Sequence, residues 1–177
     1  MFNRFINPGR NRLNKAIVPR KYRGDTMIEV LVTVLILAVG VLGVAAMQVT
    51  TFKNLSTSHS ASVAALVADD FAERMRANGV EVLADTYNHS ANPGTAFTNC
   101  ADQVCTTAQL AGYDIGSWWL EIGANLPLGK GQVARIATSN TFTLTIRWDE
   151  DRSGSTGINC PKTSAADLEC YQLEVTI

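Results

Sequence analysis

The stretch "RGDTMIEVLVTVLILAVGVLGVAAMQ", Arg23 to Gln48, decides how the rest of the chain is read. From Val30 to Met47 it runs for 18 residues with Thr33 as the one polar side chain. As a helix rising 1.5 Å per residue, that run covers about 27 Å, close to the hydrocarbon thickness of a bilayer. Yet a carboxylate, Glu29, stands on the first turn. A charged side chain at the centre of a membrane helix costs roughly 2.5–3.5 kcal/mol, so an acid in such a segment needs a task or a partner.

The charge distribution fits a membrane segment. Residues 1–24 hold seven bases (Arg4, Arg10, Arg12, Lys15, Arg20, Lys21 and Arg23) and no acid. All 16 acids follow, from Asp25 onward, so the overall charge of -1 hides a strongly acidic remainder. A basic cluster just before an apolar run follows the positive-inside rule: the N-terminus stays in the cytoplasm and residues beyond about 48 are exported. That reading takes the place of direct nucleic-acid binding, the other use of a basic tail. Export to an oxidising compartment accounts for Cys100, Cys105, Cys160 and Cys170 as two disulfides. Three pairings are open; sequence proximity favours Cys100–Cys105 and Cys160–Cys170, because short loops close cheaply. The C-x4-C and C-x9-C spacings suit zinc poorly, and no metal or cofactor is expected.

Past the apolar run, "TFKNLSTSHSASVAALVADDFAERMRAN" (51–78) turns amphipathic. Phe52, Leu55, His59, Val63, Leu66, Val67, Phe71 and Met75 recur at three and four residues, one stripe on a helix. No proline interrupts Thr26–Asn78, and Asn78–Gly79 supplies a stop, which predicts one helix of about 50 residues. Residues 79–112 read as a long connection, dense in Asn, Gly and small polar residues. A short helix is expected over "YDIGSWWLEIGANLP" (113–127), with Ile115, Trp118, Trp119, Ile122 and Leu126 on one face and Pro127 ending it. "LGKGQVARIA" (128–137) reads as a turn and strand. "TFTLTIRW" (141–148) alternates, Phe142, Leu144, Ile146 and Trp148 against Thr143, Thr145 and Arg147. "YQLEVTI" (171–177) alternates again. The fold class is α+β: a long N-terminal helix packed on a small antiparallel sheet.

Catalytic signatures are missing: there is no G-x-S-x-G, no H-E-x-x-H and no phosphate loop. His59 reads as a packing residue of the stripe, and His89 lies in the connection with no nucleophile motif nearby. "DEDRSG", Asp149 to Gly154, resembles the start of a calcium loop, but its twelfth position is Cys160 and not a glutamate; it reads as a solvated turn. No catalytic residue is assigned, and the chain is expected not to be an enzyme. The tripeptide Arg23-Gly24-Asp25 is a chance integrin-type motif.

A basic stretch, a glycine and then an apolar run with a glutamate five positions after the glycine resembles the type IV prepilins. "G-D-T-M-I-E-V" matches their G-F-T-L-I-E pattern at Gly24, Thr26, Ile28 and Glu29. The resemblance implies that a prepilin peptidase cuts between Gly24 and Asp25, leaving the apolar helix in place, where an ordinary signal peptide would lose it. It implies too that Glu29 pairs with the new N-terminal amine of a neighbouring subunit as helices bundle into a filament. Asp25 departs from the phenylalanine usual at that position, whose amine the peptidase also methylates. The segment "A-E-R-M-R-A-N", Ala72 to Asn78, together with "CTTAQLAGYDIGSWWLEIGANLPLGKGQV" and "FTLTIRWDED", is similar to the PilV family of minor pilins.

That family implies the type IV pilin fold in four parts: a cleaved leader (1–24), a transmembrane and polymerisation helix (25–48), its amphipathic continuation (49–78) and an exported globular domain (79–177). It implies a minor pilin held in the inner membrane before joining the pilus, with prepilin peptidase, other minor pilins and the major pilin as partners. Assembly priming, a place in the tip complex and support of twitching, adhesion or DNA uptake follow from it. Two other readings stand beside it. A type II secretion pseudopilin shares the N-terminal logic. A membrane-anchored enzyme or ligand-binding domain would keep its N-terminus.

Overall fold

The computed structural model describes residues 26–94, 96–137 and 139–177. Contacts divide the chain into two units that meet between Ala46 and Met47. The first helix, α1 (Met27–Ala77), runs through that boundary without a break. No proline interrupts its 51 residues.

In the second unit α1 is followed by α2 (Gly79–Leu83), α3 (Thr107–Asn125), β1 (Lys130–Arg135), β2 (Thr141–Trp148) and β3 (Glu169–Thr176). The strands form an antiparallel sheet in the order β1-β2-β3. Register places Val133 opposite Leu144, and Leu144 opposite Leu173, so the apolar residues of the three strands share one face. Phe142, Leu144, Ile146 and Trp148 are buried, as the alternation predicts. They form one core with Val67, Phe71 and Met75 of α1 and with Ile115, Trp118 and Ile122 of α3. Phe71 stacks on Trp118 at 4.4 Å and meets Tyr87 edge-on at 5.9 Å. The Trp118 indole donates to the Val67 carbonyl at 3.2 Å, which ties α3 to α1 within the core.

Several expectations need correcting. The buried face of α1 is Ser60, Ala64, Val67, Ala68, Phe71, Ala72 and Met75. Phe52, Leu55 and Leu66 are exposed, and so is His59, which is not a packing residue. The core begins about two turns later than the stripe suggested, on small residues at four-residue spacing. Short side chains let two backbones approach closely, and a pattern search weighted towards large apolar residues passes over them.

The connection 79–112 is also more ordered than its composition suggests. The long helix ends at Ala77, at the expected Asn78–Gly79 stop, and Gly79 then opens the short helix that follows. Tyr87 is fully buried, and His89 pairs with Val133 as an isolated bridge (N–O distances of 2.9 and 2.7 Å), so it does not lie in a free loop. Helix α3 starts six residues before the expected Tyr113, because Thr106 and Gln109 form a reciprocal capping box. The disulfides are Cys100–Cys105 and Cys160–Cys170.

Candidate functional site

The first site is the apolar part of α1. Every large apolar side chain from Val30 to Met47 is exposed, from 47% at Val32 to 73% at Met47. Burying such a surface yields about 25 cal/mol per Å², so a helix of this kind belongs in lipid or against other helices. Thr33 satisfies its hydroxyl within the helix by donating to the Val30 carbonyl at 2.8 Å, so the span carries no unmet polar group at that point. A Cβ built on Gly40 or Gly43 meets nothing within 4 Å, so neither glycine is imposed by packing inside this chain.

Glu29 stands exposed on the first turn of α1, and its backbone N–H donates to the Thr26 carbonyl at 2.8 Å. An acid there is favoured by the positive end of the helix dipole. Among the described residues no cation pairs with its carboxylate. Gly24 and Asp25, the expected processing residues, lie outside the described residues.

Polar side chains of the second unit form networks that the sequence did not reveal. Tyr87 donates to Asp114 at 2.7 Å and accepts from the Asn78 amide at 3.2 Å; that amide also donates to the Thr107 carbonyl at 2.9 Å. Burial pushes both the Tyr87 hydroxyl and the Asp114 carboxyl up from their ordinary values. Glu81 accepts from Thr86 and Thr107, which lower its pKa. These groups tie α1, α2 and α3 together at their junction.

The "DEDRSG" turn is likewise structural. Asp149 is buried and accepts from the Ser153 and Gly154 backbone at 3.2 and 2.7 Å. Glu150 accepts from Trp148 and Ser56 at 2.8 Å each, and Asp151 pairs with Lys53 at 2.9 Å. Burial raises the Glu150 pKa, but bonds from Ser60, Ser56 and Trp148 outweigh it and hold the group below the usual carboxylate range. The turn is thus solvated at Asp151–Gly154, as expected, while buried Asp149 braces it and Glu150 and Asp151 touch α1. A fourth acid, Asp167, accepts from Asn159, Thr163 and Ser164 and closes the loop bridged by Cys160–Cys170. Two buried nitrogens, Nε2 of His89 and Nε1 of Trp119, have no partner among the described residues. No group of His, Cys, Asp and Glu able to hold a metal occurs among the described residues.

The described geometry brings no nucleophile and base together. Instead it joins an exposed apolar helix to a disulfide-bonded head. Two family matches adjoin one another and together span residues 19–116. Residues 19–45 match the prokaryotic N-terminal methylation motif, and residues 46–116 match the Tt1218-like family, type IV pilin Tt1218. No curated protein and no solved structure matches the chain. The motif implies processing by a prepilin peptidase and assembly with other pilins, and it fits anchoring in a membrane and a place in a pilus. The long apolar helix, the three-stranded antiparallel sheet and these two matches together identify the chain as a type IV pilin.

Proposed function

We propose that this pilin is a minor subunit of the type IV pilus, of the PilV type, that helps to prime assembly and sits in the tip complex. The reading is carried by the segment Ala72–Asn78, which resembles the PilV helix end. In the fold it buries Ala72, Met75 and Asn78 in the core, while Arg74 reaches Asp70 at 2.6 Å and Ser117 at 2.9 Å. Its residues are thus the ones that join the helix to the head.

In this proposal residues 1–24 are a cytoplasmic leader removed between Gly24 and Asp25, and 25–48 hold the subunit in the inner membrane. Residues 49–78 continue the helix, and 79–177 form a periplasmic head. The Glu29 carboxylate, exposed and unpaired by any described cation, receives the new amine of a neighbour. An unpaired buried charge costs several kcal/mol, so the pairing would set helix register during recruitment. Twitching, adhesion or DNA uptake would depend on the subunit through the fibre.

N-terminal sequencing and intact mass, with and without prepilin peptidase, test the processing. A chain beginning at Asp25 supports the reading; one beginning at Met1 or Met47 with the peptidase present removes it. Quantitative mass spectrometry of sheared pili tests the minor role. It should find the subunit far below the major pilin, whereas its absence from pili and recovery with a secretion system would favour the pseudopilin alternative.

A further inference from the structure

A recess of about 280 Å³ opens at the β1 side of the head, lined by Ser90, Trp119, Lys130, Gln132, Arg147 and a neighbouring isoleucine, Ile158. Gly131 also lines it, though a Cβ at that position would point to the core, colliding with the Trp118 ring and approaching Ile122 Cδ1 to 3.0 Å. The lining combines apolar surface with two cations, and the cations are the informative part.

Arg147 is half-buried on β2, at the position opposite Lys130 in the β1–β2 register. Its Nε donates to the Ile158 carbonyl and its Nη1 to the Gln132 side chain, both at 3.0 Å. These bonds hold the guanidinium in one orientation and leave Nη2 without a recorded acceptor. Neither Arg147 nor Lys130 forms an ion pair among the described residues, although they face each other across the ladder. Like charges directly opposite on a sheet destabilise it, and half-burying an arginine without a carboxylate costs further solvation. Burial correspondingly lowers the Arg147 pKa, with no acidic neighbour to offset it. Trp119 lines the recess, and its indole Nε1 has no partner among the described residues. A half-buried guanidinium opposite an ammonium, with no carboxylate paired to either among the described residues, suits an anionic occupant.

We propose that this recess binds a small organic carboxylate, its charge held between Lys130 and Arg147 and its apolar body lying against Trp119 and Ile158. Carboxylate fits better than a bare inorganic anion. One free guanidinium nitrogen and one ammonium suit a single negative group, and the apolar walls gain nothing from a phosphate. The site lies wholly in the head, away from the polymerisation helix, and its failure would leave the pilin assignment intact.

The test uses the full-length protein in detergent micelles, with benzoate as probe, benzamide as its neutral counterpart and inorganic phosphate as the bare anion. The Trp119 indole resonance is followed by ¹H–¹⁵N NMR and assigned by its loss in Trp119→Phe. Benzoate should shift it in a saturable way, and benzamide and phosphate should not. Arg147→Gln should weaken benzoate about tenfold, the worth of one charge-assisted bond, and Lys130→Gln about threefold. Lys130 is exposed, so its variant keeps the fold and carries the test if Arg147→Gln unfolds. No shift with benzoate, equal binding of benzamide or phosphate, or unchanged affinity in Lys130→Gln would each overturn the proposal.

Discussion

Replacing Phe71 in the full-length protein tests where along α1 the helix becomes part of the core. The ring is fully buried, stacked on Trp118 at 4.4 Å and edge-on to Tyr87 at 5.9 Å. Truncating a buried phenylalanine to alanine costs about 3–5 kcal/mol, the lost transfer energy plus the cavity left behind. Two aromatic contacts, each worth about 0.5–1.5 kcal/mol beyond area, place Phe71→Ala at the upper end, near 4–5 kcal/mol. Phe71→Leu keeps most of the volume and loses the ring contacts, for about 1–2 kcal/mol. Phe52 belongs to the same sequence stripe but is 70% exposed, so Phe52→Ala should cost below about 0.5 kcal/mol. At about 3–4 °C per kcal/mol for a unit of this size, near-UV circular dichroism in micelles should show Tm falling by about 12–20 °C for Phe71→Ala and by under about 2 °C for Phe52→Ala. A loss below about 5 °C for Phe71→Ala, or equal losses for the two, would refute this account of the core.

Other perturbations separate further parts of the molecule. Glu29→Gln should leave peptidase processing intact and reduce incorporation into sheared pili at least severalfold; normal incorporation would remove the pairing role. Serine at Cys160 and Cys170 together should cost about 3 kcal/mol in denaturant unfolding, from the entropy of a loop with sequence separation 10. Gly131→Ala should cost about 1–3 kcal/mol, because its methyl group meets the Trp118 ring and Ile122 across β1 and α3; an unchanged midpoint would contradict that approach.

Acid titration of stability has a definite sign. Asp149, Glu150 and Asp167 are each held below their ordinary values by accepted hydrogen bonds that outweigh burial. A depressed carboxylate stabilises the fold above its unfolded pKa, near 4, and that contribution is lost as pH falls through the folded value. Asp114, raised by burial, works the other way: its contribution is fully present only below pH 4 and fades as pH rises through its folded value. With Glu81 lowered as well, four groups stand against one, so stability should fall from about pH 4 downward, and Asp167→Asn should flatten that limb while lowering the midpoint at neutral pH. A parallel downward shift with an unchanged slope would show that Asp167 is not linked to folding in this way.

What the sequence by itself determined is what local pattern can carry. The span from Val30 to Met47 is legible because hydropathy needs no partner to be read, and Glu29 stands out against it for the same reason. The strand 141–148 is legible because a half-buried strand alternates with period two. Tertiary structure alone decided which face of α1 past residue 50 is buried. Ser60, Ala64 and Ala68 enter the core by being small, and only the approach of a neighbouring element turns smallness into burial. Tyr87 sits in a run of polar residues, and its hydroxyl is met by Asn78 and by Asp114, the latter 27 positions away on another helix. The recess at Lys130 and Arg147 likewise arises from strand register, which sets two cations 17 positions apart directly across a ladder. Such convergence depends on chain contacts whose energies are decided between segments, so no single segment displays it.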